Sequence, residues 1–434
     1  MVIAKGETRL TSIKRLLGLV VLVGGLGYWG TSSQAWAQTP TAEAPKAVEA
    51  TPPWQPSDFF KSLVWGGFVE TSYTFNFENP SDGNENAGRA FDSNSNEFML
   101  NAVVLKVGRD ANKDQVLGFQ VDALAGQDAP TGQAVGLFKD NDGVSQTSFD
   151  LVNAHILVFC PATNTKFKAG KFLTPAGAEG FYSPDQWNFS RSFLWTFAIP
   201  ISHTGLAAHQ PIVPSATGGE ILAVDLGATN GWDNVKDLNQ EKMFYGSLVY
   251  TPCVEFGLIT NFLYSFSEQS DTLARASAEN SRQLLDIVAN IDPFDSSAGV
   301  LDDLKFSLNV DWGGEEGSSG ENGRYGAWYG FAGMAKWDFD PCGDGTNKNW
   351  YVAGRGEYLS DRDASRTSGL TAGNVRGLTL WEFTATIGWK PWQNLLLRTE
   401  LRHDQADSNV FAENGDTGEH SYQTTLGFAA DFIF

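Results

Sequence analysis

Few residues of this sequence have the types and spacing that enzyme chemistry or metal binding requires. None of the five histidines has the spacing of a metal-ligand pair. His403 and Asp404 are adjacent, as in a general-base dyad, but neighbouring side chains of a strand point to opposite faces. Asp92–Asn96 begins like a calcium loop, yet Glu97 and Val103 replace its glycine and its bidentate glutamate. The sequence therefore predicts no enzyme and no metal site.

The cysteines indicate turns rather than redox or haem chemistry. Cys160, Cys253 and Cys342 each adjoin a proline at the end of an apolar stretch. Three cysteines in an exported chain do not make a disulfide framework. The Cys-x-x-Cys-His motif of covalent haem is missing from the sequence, so no cofactor is expected.

Two short runs alternate charges of opposite sign. Arg355 and Glu357 share one parity, and a second set does the same: Arg398, Glu400, Arg402 and Asp404. Charges facing lipid would cost several kcal/mol each (about 2–4 kcal/mol for a base at mid-depth), so both sets are predicted to face the interior of a barrel. The sequence leaves open whether these charged side chains act on transported solutes or only form ion pairs with one another.

The third long polar connection, residues 176–200, contains a run that is too apolar for a solvated loop and that ends at Ile201. Phe193–Ile201 reads Phe-Leu-Trp-Thr-Phe-Ala-Ile-Pro-Ile, and large exposed apolar patches are uncommon. We expect the loop to fold into the lumen and narrow it, with Glu179, Arg191 and His203 presenting charge at the narrowest point. The alternative is that the apolar run packs against the outer rim or a neighbouring protomer.

The elements that would position these residues are long strands with a period of two. Tyr422–Phe434 alternates over thirteen residues, and residues 254–266, 304–312 and 325–339 repeat the pattern. Such strands exceed the usual five or six residues and suit a tilted crossing of a membrane. The last strand, with Phe428, Phe432 and a final Phe434, resembles the signal that barrel-assembly machinery recognises.

Connections between the strands alternate in length, seven short and eight long. The short ones fall near 109–114, 161–164, 213–217, 251–253, 294–303, 341–347 and 390–394. The long ones fall near 78–95, 126–145, 176–200, 229–240, 267–280, 314–323, 360–375 and 405–419. This predicts an all-β, antiparallel, up-and-down transmembrane β-barrel, with short periplasmic turns and long extracellular loops. It has sixteen strands if the ambiguous Leu284–Ile291 is one of them.

Parity assigns most charged residues of the strands to the lumen. The predicted pore-lining acids are Glu70, Glu97, Asp122, Asp150, Asp225, Glu255, Asp286, Asp311, Asp338, Glu357, Glu382, Glu400, Asp404 and Asp431. The predicted pore-lining bases are Lys305, Arg324, Lys336, Arg355, Lys390, Arg398 and Arg402. Lys106 falls on the apolar face, and parity does not settle Lys171. Fourteen acids against seven bases predict a weak preference for cations.

The N-terminus and the overall charge restrict location and partners. Residues 1–37 combine a basic leader, an apolar run and small residues before a cut, which predicts a signal peptide; an uncleaved anchor is the alternative. Residues 38–62 read as a Pro-rich periplasmic linker, and 63–434 as the barrel. Without residues 1–37 the formal net charge falls from −21 to −24, which argues against nucleic acid as a partner.

Several stretches resemble the OmpL-like outer-membrane porins, the family called putative β-barrel porin-2. They are Arg89–Phe98, Gly170–Glu179, Asn188–Ser192 followed by Pro200 and His203, Arg355–Tyr358, and Leu397–Asp404. The resemblance runs from about Val64 to Phe434. It implies an outer-membrane barrel that conducts solutes, and it carries over no particular ligand.

These patterns together predict a bacterial outer-membrane porin for passive diffusion of small hydrophilic solutes or ions. The alternative is a barrel that serves as sheath or anchor for a partner, for example a redox protein. The expected partners are outer-membrane lipid, the barrel-assembly machinery through the C-terminal strand, and small hydrophilic solutes. Further copies of the chain, in a homo-oligomer, are left open.

Overall fold

The computed structural model describes residues 56–434, apart from 81–84, 141–143, 216–218, 238, 268–279, 295–300, 302, 320–323, 342–347, 371–376 and 414–415. The predicted signal peptide, most of the predicted linker and Cys342 lie outside this part, so those predictions stay untested. The end of the linker forms a short helix, α1 (Pro56–Lys61). No helix in the described part is long and apolar enough to cross a membrane.

Sixteen antiparallel strands form one closed barrel, as the sequence predicts. The strands are β1 (Val64–Asn76), β2 (Phe98–Arg109), β3 (Leu117–Ala125), β4 (Phe149–Cys160), β5 (Thr165–Leu173), β6 (Ser202–Pro214), β7 (Glu220–Thr229), β8 (Met243–Cys253), β9 (Phe256–Ser265), β10 (Arg282–Ile291), β11 (Leu304–Ser319), β12 (Arg324–Phe339), β13 (Trp350–Asp361), β14 (Leu378–Trp392), β15 (Leu395–Ala406) and, after a hairpin of β16 (Phe411–Glu413) and β17 (Asp416–His420), β18 (Tyr422–Ile433). Pairing of β1 with β18 closes the ring.

Burial alternates along the strands as expected for a wall between lipid and lumen. In β14, Trp381 and Phe383 are exposed on the outside, whereas Glu382 and Thr384 are buried on the inside. The ambiguous segment Leu284–Ile291 belongs to β10, which confirms its reading as a strand. Period two thus places apolar residues toward lipid and polar residues toward the lumen.

Two β-bulges change the parity that a strict period of two would give. Between β1 and β2, Glu70 pairs with Ala102 but Thr71 pairs with Leu100. Between β3 and β4, Asp122 pairs with Asn153 but Ala123 pairs with Leu151. An extra residue in one strand turns the following side chains to the other face.

One predicted long loop proves to be an extended hairpin. Strands β11 and β12 each have 16 residues, and Ser319 pairs with Arg324, so only residues 320–323 separate them. The prediction of a long loop over 314–323 was wrong, because after an irregularity beyond Glu315 the pairing resumes at Ser319 and Arg324. The other long connections lie at the same end of the barrel, called here the long-loop end. The opposite end, with connections such as 254–255 and 393–394, is the short-turn end.

The hydrophobic core of the molecule lies inside the barrel near the long-loop end. It joins inward side chains of the wall, such as Leu359, Leu380 and Trp328, to side chains of the loops, such as Phe193 and Phe91. A barrel interior that is polar throughout would not form such a core. The long loops therefore pack into the lumen in the manner of a soluble domain.

Candidate functional site

The third loop, residues 174–201 between β5 and β6, lies inside the barrel. It contains a 3-10 turn (Ser183–Asp185) that contacts β18 and a π-helical turn (Leu194–Ala198) that contacts β11 and β12. Phe193 is 0% exposed, Leu194 1% and Trp195 4%. The apolar run thus escapes water within the lumen, and the alternative of packing on the outer rim is wrong.

Two carboxylates of the wall bind consecutive backbone N–H groups of this loop. The carboxylate of Glu400 accepts hydrogen bonds from the N–H groups of Phe189 (2.6 Å) and Ser190 (3.0 Å). The carboxylate of Glu357 accepts them from Phe193 (2.5 Å) and Leu194 (3.0 Å). Phe193 and Leu194 begin the π-helical turn, where backbone N–H groups have no partner within the turn, and a carboxylate is a strong acceptor for them.

Three arginines of the same inner face bind the loop's carbonyl groups. Arg355 donates to the Ser190 carbonyl at 2.7 Å, Arg398 to the Ser183 carbonyl at 3.0 Å, and Arg402 to the Arg191 carbonyl at 2.5 Å. Each also forms an ion pair on the wall, with Glu382 at 2.7 Å, Asp431 at 2.6 Å and Asp404 at 2.6 Å respectively. The alternating charges that the sequence left open therefore satisfy one another and hold the loop.

Arg191 and His203 are buried and Glu179 is paired with Arg355, so the expectation that these three residues present free charge at the narrowest point was wrong. Glu179 accepts from Arg355 at 2.6 Å, and Arg191, which is 1% exposed, donates to the carbonyl groups of Gly180, Phe181 and Phe189. His203 is 0% exposed; its Nε2 lies 3.1 Å from the Thr174 hydroxyl. These side chains point into the barrel, as expected, but the packing of the third loop buries them.

Other long loops close over the third loop. Arg89, from the loop between β1 and β2, donates to Asp404 at 2.8 Å and to Thr425 at 3.0 Å. Arg366, from the loop between β13 and β14, donates to the Phe197 carbonyl at 2.8 Å, and the Trp328 indole donates to the Ala198 carbonyl at 3.1 Å. Sequence reasoning missed these positioning residues. Only Arg89 carried a signal, because it opens one of the family-like motifs.

Beneath the third loop, at the short-turn end, lies a cavity of about 740 Å³. The loop contributes Asp185 and Trp187 to its lining, and the wall contributes Lys305, Lys336 and Lys390. Lys336 pairs with Asp338 at 2.8 Å, and Lys305 with Asp292 at 3.5 Å. In this cavity the predicted pore-lining charges of Lys305, Lys336 and Lys390 reach water.

Most of the other predicted pore-lining residues lie on the inner wall. The following are 5% exposed or less: Glu70, Asp122, Asp150, Asp225, Asp286, Asp311, Arg355, Glu357, Glu382, Arg398, Glu400, Arg402, Asp404 and Asp431. Of these, Asp404 points inward to Arg402, while its neighbour His403 faces outward to the Thr424 hydroxyl at 3.0 Å. The adjacent pair is thus divided between the two faces, as the strand period predicts.

Two pore-lining assignments and one excluded residue need correction. Glu97 is exposed and lies before β2, and Glu255 is exposed in the turn between β8 and β9, because the strands begin later than parity assumed. Lys106, predicted on the apolar face, turns inward beyond the first bulge, with its ammonium 3.5 Å from the Tyr182 ring centre. Parity did not assign Lys171 to either face of the wall; in the structure its ammonium binds Asp150 at 2.8 Å. The side chain of Arg324 lies outside the described part.

A family comparison identifies the architecture. The pattern of the family described as putative beta-barrel porin-2, OmpL-like, matches residues 62–434. The chain belongs to this family. It is a bacterial outer-membrane porin barrel, and the resemblance expected from the sequence motifs is confirmed. No curated protein matches the chain.

Solved structures with the same fold have little sequence in common with this OmpL-like porin. An anion-selective porin from Comamonas acidovorans is 10% identical, with a TM-score of 0.54, over 86% of this chain and 99% of that chain. OprB of Pseudomonas putida is 12% identical, with a TM-score of 0.54, over 87% and 96%. OmpT, an outer membrane protein of Vibrio cholerae in a trimer form, is 9% identical, with a TM-score of 0.51, over 86% and 99%. At such identities the likeness shows the fold alone.

Proposed function

We propose that this barrel is a pore for passive diffusion of small hydrophilic solutes or ions across the outer membrane. The observation that supports the proposal is the loop-held lumen. A charged inner wall anchors the third loop at Glu357 and Glu400, and a cavity of about 740 Å³ stays open beneath it. In such a pore the loop limits the size of the solute, because it occupies the cross-section of the barrel.

The pore is proposed to prefer cations weakly. After the structural corrections, the pore-lining residues discussed above comprise twelve acids (Glu70, Asp122, Asp150, Asp225, Asp286, Asp311, Asp338, Glu357, Glu382, Glu400, Asp404 and Asp431) and eight bases (Lys106, Lys171, Lys305, Lys336, Arg355, Lys390, Arg398 and Arg402). An excess of acid concentrates cations in a low-dielectric channel. Salt weakens the effect, since the Debye length falls from about 30 Å at 0.01 M to about 3 Å at 1 M.

A planar bilayer containing the purified protein alone tests both parts of the proposal. We expect channel events without any partner, and a reversal potential of cation sign under a KCl gradient that shrinks at high salt. Silence of correctly folded protein would contradict the pore. Anion preference at low salt would contradict the cation preference expected from the summed wall charge. It would indicate that the lysines of the cavity determine the selectivity.

The sheath or anchor alternative is less favoured by the same geometry. In the described part of the chain, the third loop and the loops carrying Arg89 and Arg366 fill the long-loop half of the lumen. A partner protein has no room there unless these loops leave. Conduction that appears only when a partner is added would restore this alternative.

Assembly of the barrel is proposed to begin at its C-terminal strand. Phe428, Phe432 and Phe434 are 45%, 48% and 48% exposed, so their rings are available on the outer surface for the barrel-assembly machinery. Truncation of Phe434 should lower the amount of folded protein in the outer membrane, measured against Phe77→Ala, whose ring is similarly exposed.

A homo-oligomer is a further proposal, supported by the trimer form of the Vibrio cholerae OmpT barrel.

A further inference from the structure

The cavity at the short-turn end contains two charged side chains of opposite sign that have no partner. The Asp185 carboxylate, on the third loop, and the Lys390 ammonium, on β14, both line the cavity and are both exposed. Among the described residues neither forms an ion pair or donates or accepts a hydrogen bond through its charged atoms, in contrast to Lys336, which binds Asp338.

The rest of the lining is amphipathic. The apolar side chains of Ile259 and Leu396 line the cavity, together with the indole of Trp187. Three buried polar atoms at the cavity have no hydrogen-bond partner: the hydroxyl oxygen of Tyr351, the side-chain oxygen of Asn188 and Oδ1 of Asp292. Buried polar atoms are rarely left without a partner in native proteins, so these three mark places for a ligand or water. A volume of about 740 Å³ lies within the usual range for small-molecule sites.

We propose that this cavity binds small zwitterions with an apolar body, the chemical class of the apolar and aromatic α-amino acids. The ligand's ammonium pairs with Asp185, its carboxylate pairs with Lys390, and its apolar part lies against Trp187. A solute with one charge leaves one of the two protein charges without a partner. This inference names the solute class for the proposed pore and in that respect rests on the proposed function.

Three probes of similar size separate this site from a general ion effect. They are phenylalanine, which has both charges, 3-phenylpropionate, which has the carboxylate alone, and phenethylamine, which has the ammonium alone. Binding to the purified full chain in detergent is measured by equilibrium dialysis. We expect phenylalanine to bind at least about tenfold more tightly than either analogue, a difference equivalent to about 1.4 kcal/mol. Equal binding of the three probes, or no binding of phenylalanine, overturns the inference.

Substitutions at the two charges assign the binding to this cavity. Lys390→Gln should weaken phenylalanine binding about tenfold and leave phenethylamine unchanged, and Asp185→Asn should weaken both phenylalanine and phenethylamine. Matched controls are Lys113→Gln and Asp114→Asn, exposed residues of the turn between β2 and β3 at the same end of the barrel. Identical binding by the cavity variants and the controls places the ligand elsewhere and overturns the inference.

The same preparations distinguish failure of the inference from failure of the pore. Folding of each variant is checked by its heat-modifiable mobility on a gel, and conductance is recorded in a planar bilayer. Conductance without selective binding of phenylalanine removes the zwitterion site and leaves the pore. Selective binding without conductance keeps the site and removes the pore.

Discussion

The two halves of the barrel interior use their charges in different ways. In the long-loop half, Glu357, Arg402 and Asp404 are 5% exposed or less and bind backbone or side chains of the folded loops. In the short-turn half, Lys336 and Lys390 reach a cavity of about 740 Å³. One half is packed like a soluble domain, and the other is a water-accessible vestibule.

This difference shows that a count of the charges on the inner wall does not reveal which of them bind the loops and which face water. Strand β14 contributes to both halves, with Glu382 fully buried beside Arg355 and Lys390 exposed at the cavity. A charge removed from water must be paired and hydrogen-bonded, because its desolvation costs several kcal/mol. The packed half therefore uses its charges to hold the loops and acts on solutes only through its summed charge, whereas the open half has charges that solutes can contact.

The largest expected effect comes from removing the packed segment. Deletion of residues 186–199 should raise single-channel conductance several-fold, because the part of the loop bound to Glu357 and Glu400 no longer occupies the lumen. Planar-bilayer recording measures it, with heat-modifiable mobility as the control for folding. Unchanged conductance of a folded deletion variant would show that the third loop does not limit the pore.

Loosening the loop without deleting it should give a smaller change. In Glu357→Gln and in Glu400→Gln, an amide NH2 group, which cannot accept, replaces one of the two carboxyl oxygens, each of which accepts a backbone N–H. We expect each to lower the free energy of unfolding by about 1–3 kcal/mol and to make channel currents noisier. Denaturant unfolding and bilayer noise are the measurements. Glu255→Gln, on an exposed turn, is the control; an effect of equal size there would remove the anchoring role.

Ion preference should respond to the open half rather than to the packed half. Lys390→Gln should shift the reversal potential toward cations at low salt, since its ammonium is exposed at the cavity. Glu382→Gln, on the same strand, should lower stability and leave the reversal potential nearly unchanged, because its carboxylate is fully buried beside Arg355. A larger shift of the reversal potential from Glu382→Gln would contradict the division of roles between the two halves.

The smallest expected effect concerns the pH dependence of loop packing. Burial raises the pKa of Asp128, in the loop after β3, to about 7, although a hydrogen bond from Asn101 opposes the shift. The pKa of Asp128 in the folded protein lies above its value in the unfolded chain. The protonated, neutral acid therefore stabilises the fold, and this contribution is complete below about pH 4. That contribution is lost as the pH rises through 7. Asp128→Asn should therefore raise the unfolding temperature at pH 8 by a few degrees and leave it unchanged at pH 4. An equal gain at both pH values would contradict the raised pKa.

The local pattern of residues determined most of the barrel wall. A period of two depends only on neighbours along the chain, and it predicted the inward face of Arg398, Glu400, Arg402 and Asp404. Together with the alternation of short and long connections, it also predicted the sixteen strands. The apolar run Phe193–Ile201 likewise predicted burial of the third loop, because its side chains cannot remain in water.

Tertiary structure decided how those residues meet. The bulge beside Glu70, which depends on the pairing of β1 with β2, turned Lys106 inward. Contacts across more than a hundred residues, such as those of Glu400 with Ser190 and Arg366 with Phe197, made the predicted pore charges into anchors of the loops. No local period carries information about such contacts, since they depend on which loops fit the lumen together. Only the closed barrel therefore distinguished charges that hold the loops, such as Arg402, from Asp185 and Lys390, which line the cavity and form no ion pair with another described residue.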